Sequence, residues 1–162
     1  MKRYPLQTLI KLRAHRTELA RKVVLEKQQQ ARACREACTR IEGEIEALRQ
    51  ERSGHRMRLL DPPPPGVHWP QVLEQREAHI DLLGEQVQAA CQRLQQAQQQ
   101  LQAAERALEE AKQAFFRAKA REDALEKRKG VWRDEQVALE IRKEDAAAAD
   151  LPLARRLTPG QT

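Results

Sequence analysis

Residues 59–71 read LLDPPPPGVHWPQ and contain five of the chain's eight prolines. On both sides lie long runs of Ala, Gln, Glu, Arg and Leu, all strong helix formers. Proline lacks a backbone N–H and its ring clashes with the preceding helical turn, so DPPPPG cannot be helical. The stretch therefore ends one helix before a second begins. Asp61 is placed to close the last turn of the first, Gly66 permits a reversal, and Pro70 suits the first turn of the second. A stiff turn between two helices folds the chain back on itself as an antiparallel hairpin. The competing reading is a rigid linker between helices that pair with other chains.

The flanking helices carry the pattern that such a fold needs. From Leu73, every seventh residue is Leu73, Ile80, Val87, Leu94, Leu101, Leu108 and Phe115. The interleaved row runs Leu83, Ala90, Ala97, Ala104, Ala111, Ala118, Leu125, Trp132 and Leu139. Such a sustained period argues for coiled coil and against disorder over residues 72–125. Five successive alanines in one row predict closely approaching helices. In the first helix, Leu9, Leu12, Leu19 and Val23 form one apolar set. Cys34, Cys38, Ile41, Ile45, Leu48 and Leu59 form another. The two sets do not share one heptad register, which predicts locally changed winding between them.

The resulting expectation is an all-α chain, a long antiparallel two-helix coiled-coil hairpin. Its parts are helix 1 over residues 1–60, a proline-rich turn over 61–71, helix 2 over 72–149 and a disordered tail over 150–162. If Leu59 faces Leu73, then Ile45 meets Val87, Ile41 meets Cys91 and Leu9 lies near Asp123. Helix 2 then overhangs helix 1 by roughly 25 residues on a rod on the order of 110 Å long. Leu125, Trp132, Val137, Leu139 and Ile141 fall on that overhang without an internal partner, and exposed apolar residues of this kind mark a binding surface.

Composition fits this architecture. Of 162 residues only 3% are aromatic and 33% are charged, too few large side chains for a rounded core. No run approaches a membrane span and no secretory signal is apparent. Cys34, Cys38 and Cys91 lack disulfide spacing and read as reduced thiols filling a tight seam. Net charge is +8 over residues 1–60, −4 over 61–115 and +2 over 116–162. The basic residues Lys11, Arg13, Arg16, Arg21 and Lys22 allow an acidic partner as well as an ordinary solvated face. No nucleotide-binding, metalloprotease or hydrolase motif occurs, and a two-helix rod has no cleft for a dry active site. Neither enzyme activity nor a cofactor is expected. His55 and His79 approach one another near the turn, but two histidines alone make a weak metal site, and none is expected.

Three stretches carry a family resemblance. RYPLQTLIKLRAHRTELARKVV, with its Leu12-Arg13 pair, resembles the opening of type III secretion stalk proteins of the YscO and FliJ (SctO) kind. HWPQVLEQREAHIDLL is similar to the start of their second helix. FFRAKAREDALEKRKGVWRDEQVALEIRKEDAAAADL is similar to their basic, Trp-containing C-terminal helix. The resemblance spans most of residues 3–151; the four-proline turn is not among the family's hallmarks. It implies a non-enzymatic central stalk that contacts the hexameric secretion ATPase and links it to the membrane export gate. Secretion chaperones are further candidate partners. It also implies a cytoplasmic bacterial protein, peripherally associated with the inner-membrane apparatus and linked to virulence. Leu9, Leu12, Arg13, Arg16, Leu125, Trp132 and Leu139 are the residues it suggests for the ATPase end. Leu48, Glu51, His55, Val72 and His79, nearer the turn, are those for the gate. The alternatives are a basic coiled-coil arm binding nucleic acid, disfavoured by the acidic middle and the lack of stacking aromatics, and a generic coiled-coil adaptor. The hairpin is expected to be monomeric.

Overall fold

The computed structural model describes residues 3–157 of the backbone and 3–150 with side chains. Two helices make up the fold, α1 (Gln7–Met57) and α2 (Trp69–Leu157), joined as a helical hairpin with no strand among the described residues. No helix among them is long and apolar enough to cross a membrane. Contacts group the chain into two units, Lys22–Lys112, which holds the turn, and Met1–Arg21 with Gln113–Thr162.

The turn in the Lys22–Lys112 unit follows the chemistry of its residues. α1 ends at Met57 with His55 and Arg56 in its last turn, where cations complement the exposed carbonyls. Leu59 and Asp61 then donate backbone N–H groups to the carbonyls of Arg56 and Arg58. The four prolines add no donors that need satisfying, and Gly66 takes a positive φ of 86°, which glycine adopts without Cβ strain. α2 opens at Trp69 with Pro70 in its first turn, as the sequence predicts. Arg76 locks the arrangement. Its Nη1 donates to the carbonyls of Arg58 (3.2 Å), Leu59 (3.0 Å) and Asp61 (2.8 Å), satisfying acceptors that the end of α1 leaves open. The same guanidinium stands 5.7 Å from the Trp69 ring centroid, a cation–π contact that draws the start of α2 into the cap.

In this unit the seam of α2 is the one the heptads predict. Ile80, Leu83, Ala90, Ala97 and Ala111 are buried, and Leu73, Val87, Leu94, Leu101, Ala104 and Leu108 are half-buried. Ala90 is 0% exposed, and Ala97 and Ala111 of the same row are also buried. The α1 seam differs from expectation. Ala31, Cys38 and Ile45 are buried and Val24 and Arg52 half-buried, all at one seven-residue spacing. Lys27, Cys34, Ile41, Leu48 and His55 form the half-buried companion row. The same phase holds in the other unit, where Ile10 and Thr17 are buried. Within the Lys22–Lys112 unit one register therefore runs from Val24 to Arg52. Leu12, Leu19 and Val23, assigned to the seam by their apolarity, are exposed.

The pairing register also moves. Glu44 meets Arg93 and Arg35 meets Glu105, so each α1 residue faces a position several residues further along α2 than Leu59–Leu73 pairing would give. The cause lies at the turn. α1 stops at Met57, and the non-helical Arg58–Asp61 stretch occupies the space beside the first turns of α2, where Arg76 holds it. The two cross-helix ion pairs flank the seam at exposed positions, where charge pairs set register more than they add stability.

At the C-terminal end α2 continues to Leu157, past the expected end at Ala149 and through Pro152. The surrounding Ala, Leu and Arg residues are strong helix formers, which offsets the hydrogen bond that Pro152 cannot donate. The rest of the expected disordered tail, residues 158–162, lies outside the described residues.

Candidate partner-binding site

The unit that pairs residues near the N-terminus with the last third of α2 holds an apolar and arginine-rich surface. Its centre is an aromatic pair. Tyr4, just ahead of α1, accepts the Gln7 N–H on its carbonyl at 3.2 Å, and this turn swings its ring across to α2. The Tyr4 ring lies 5.2 Å from that of Trp132, tilted by 57°. Tyr4 is buried and Trp132 half-buried, so Trp132 has an internal partner, contrary to expectation. Leu125, also half-buried, likewise lies within the paired part of α2. In this unit Tyr4, rather than open solvent, stands beside Trp132.

The aromatic pair stands between two grooves. One, of about 710 Å³, runs from Tyr4 and Gln7 along Trp132, Val137 and Ile141. The other, of about 600 Å³, lies between Pro5 and Leu6 on one side and Val131 and Trp132 on the other, with Lys127 and Arg128 at its edge. Beyond Trp132 three large apolar side chains of α2 face solvent: Val137 is 59% and Ile141 52% exposed, with Leu139 also exposed. These are the residues the sequence places on an unpartnered overhang.

A third depression, of about 240 Å³, is formed where Ala114 and Ala118 leave room between the helices. Arg13 and Arg16 from α1 and Arg117 and Arg121 from α2 surround it. None of the four is held in an ion pair among the described residues. Four guanidiniums around a small-residue gap make a strongly positive patch with donors free for carboxylates. The sequence identifies Arg13 and Arg16; Arg117 and Arg121 it does not, because only the α1–α2 pairing brings them there. Leu9 is half-buried and Leu12 exposed on the same helix.

The turn-proximal candidates sit in the other unit. Leu48 and Val72 are half-buried on α1 and α2. Glu51, His55 and His79 do come together: the two imidazoles meet edge to face at 4.5 Å between centroids and 83°. Glu51 lies one turn before His55, with Oε1 3.9 Å from its Nε2. Cys34, Cys38 and Cys91 are free thiols, Cys38 being buried in the seam.

Comparison with curated proteins gives no match. Among solved structures, the chain is similar to CT670 of Chlamydia trachomatis, described as a homologue of YscO. The TM-score is 0.76, identity is 21%, and 96% of each chain is covered, which establishes the shared fold. The model of the YscO-like protein family matches residues 1–151, nearly the whole hairpin, and the chain belongs to the YscO-like family.

Proposed function

We propose that this chain is a non-enzymatic central stalk of a type III secretion export apparatus. Family membership over residues 1–151 carries the reading. The surface of the unit that holds the N-terminus supports it: a Tyr4–Trp132 ridge between two apolar grooves, beside four arginines that make no ion pair among the described residues. A hexameric ATPase whose pore offers carboxylates and apolar side chains would be held by both features. Leu9, Leu12, Arg13, Arg16, Leu125, Trp132 and Leu139 are the residues we assign to that contact, with Arg117 and Arg121 added. Leu48, Glu51, His55, Val72 and His79 are assigned to the export gate. In this role the protein works in the bacterial cytoplasm, at the inner-membrane apparatus.

The test is ATP hydrolysis by the cognate secretion ATPase with and without the purified chain. Stimulation is expected, with loss of most of the effect in Trp132→Ala and in Arg13→Glu. Unchanged hydrolysis together with no co-sedimentation with the hexamer would remove the stalk reading.

A further inference from the structure

The Glu51, His55 and His79 cluster beside the turn has the composition and placement of a metal site. Glu51 and His55 are four residues apart on α1, so both side chains leave the same face of the helix. His79 reaches them from α2, the three donor atoms lying within 4.8 Å of one another. Two imidazoles and one carboxylate are a ligand set that Zn²⁺ takes, the fourth position being open to water. Donors around tetrahedral zinc stand ~3.4 Å apart, from bond lengths near 2.1 Å. Glu51 and His79 are exposed and His55 half-buried, so side-chain rotation is free to draw the three donors in. The helices that carry them are already held at this spacing by the seam at Ile80 and Leu83, so little backbone order is left to be gained on binding. The nearby cations do not occupy the site. Arg52 lies against Gly84, and Arg76 is engaged with the carbonyls of Arg58, Leu59 and Asp61.

We propose that Glu51, His55 and His79 form a Zn²⁺ site that clips α1 to α2 next to the proline turn. The clip ties residue 55 to residue 79 and so closes the loop that contains all four consecutive prolines. A ligand that binds only the folded hairpin stabilises it by mass action. This proposal rests on the geometry of the cluster; the same three side chains are among those assigned above to the export gate, and metal binding by the purified chain is read without the export apparatus.

The experiment uses the tag-free full chain, titrated with Zn²⁺ by calorimetry and with Co²⁺ by absorption spectroscopy. One equivalent is expected to bind, with a rise in melting temperature. The Co²⁺ spectrum is expected to show ligand-field bands of imidazole and carboxylate ligation without thiolate charge transfer. Outer-shell substitutions at metal sites weaken binding about 10- to 100-fold, and loss of a direct ligand should cost no less. His79→Ala and His55→Ala are therefore each expected to weaken Zn²⁺ at least ~10-fold. Glu51→Gln keeps the shape of the site and guards against loss of fold; it is expected to weaken binding with unchanged circular dichroism. Absence of binding would overturn the proposal. So would affinity unchanged in His79→Ala, or binding that is lost instead when Cys34, Cys38 and Cys91 are changed to Ser.

Discussion

The Tyr4 ring closes over Trp132 at 5.2 Å while its hydroxyl is buried without a hydrogen-bond partner among the described residues. The ring contact and the orphaned hydroxyl act in opposite directions. A tilted aromatic pair contributes about 0.5–1.5 kcal/mol beyond its area, whereas an unsatisfied buried hydroxyl costs about 1–3 kcal/mol. Tyr4→Phe should therefore hold or raise stability, and Tyr4→Ala should uncover Trp132. In a Trp69→Phe background, Trp132 is the single tryptophan. Its emission is expected to stay in place in Tyr4→Phe and to shift to longer wavelength in Tyr4→Ala. An unshifted Tyr4→Ala spectrum would mean the pair does not form in solution.

The α1 seam makes a sharper test, because apolarity and burial disagree there. Ala31 is 2% exposed, while Val23 is 42% exposed. Ala31→Asp places a charge in the seam without a partner and is expected to cost ~3 kcal/mol. Val23→Asp is a surface change and should stay within ~0.5 kcal/mol. Urea unfolding of the two variants decides between the observed register and the one drawn from Leu12, Leu19 and Val23. Equal losses would sink the observed one.

The same residues explain what the sequence does and does not disclose. The α2 stripe from Leu73 to Phe115 is legible because every seam position is apolar or Ala. In α1 the seam passes through Thr17, Lys27 and Arg52, which interrupt the apolar count. Structure accommodates each of them. The Thr17 hydroxyl donates to the Arg13 carbonyl at 3.0 Å, Lys27 lays its stem on the seam while its Nζ reaches Gln30 at an exposed position, and Arg52 packs its guanidinium against Gly84 with its Nε buried. The turn is legible because proline and glycine act locally. The register across it is not, since it depends on Arg76 finding three carbonyls of α1's frayed end. For the same reason Trp132 stands out in the sequence while its contact with Tyr4 does not. Pairing across the hairpin also hides Arg117 and Arg121, which no local pattern links to Arg13 and Arg16.

Two glycines inside helices give a matched comparison. Gly43 has open space where a Cβ would stand, so Gly43→Ala should gain about 1 kcal/mol from helix propensity alone. At Gly84 a Cβ would come within 3.0 Å of the Arg52 guanidinium. Gly84→Ala has the same propensity gain but must displace Arg52, which occupies a seam position, and is expected to be less stabilising than Gly43→Ala. Chemical denaturation of both variants measures the difference. Equal gains would show that Arg52 does not pack on Gly84.

The Glu44–Arg93 pair links the helices through two hydrogen bonds, of 2.7 and 3.2 Å, and its contribution should depend on pH. The hydrogen bonds from Arg93 hold the Glu44 carboxyl below the usual range, desolvation opposes this, and the charge of Arg93 adds to it. A carboxyl with a depressed folded-state pKa favours folding above its unfolded pKa. That contribution is lost as pH falls through the folded value, when the carboxylate takes up its proton. Glu44→Gln should thus be less stable than the parent at pH 7. The gap should narrow as pH drops below the ordinary glutamate value of 4.5. Because the pair is exposed, 1 M salt should also shrink the gap at pH 7. Denaturant titrations at pH 7 and pH 3, with and without salt, test this directly. A gap that persists unchanged at pH 3 would mean that the shape of Glu44, and not its charge, sets its contribution.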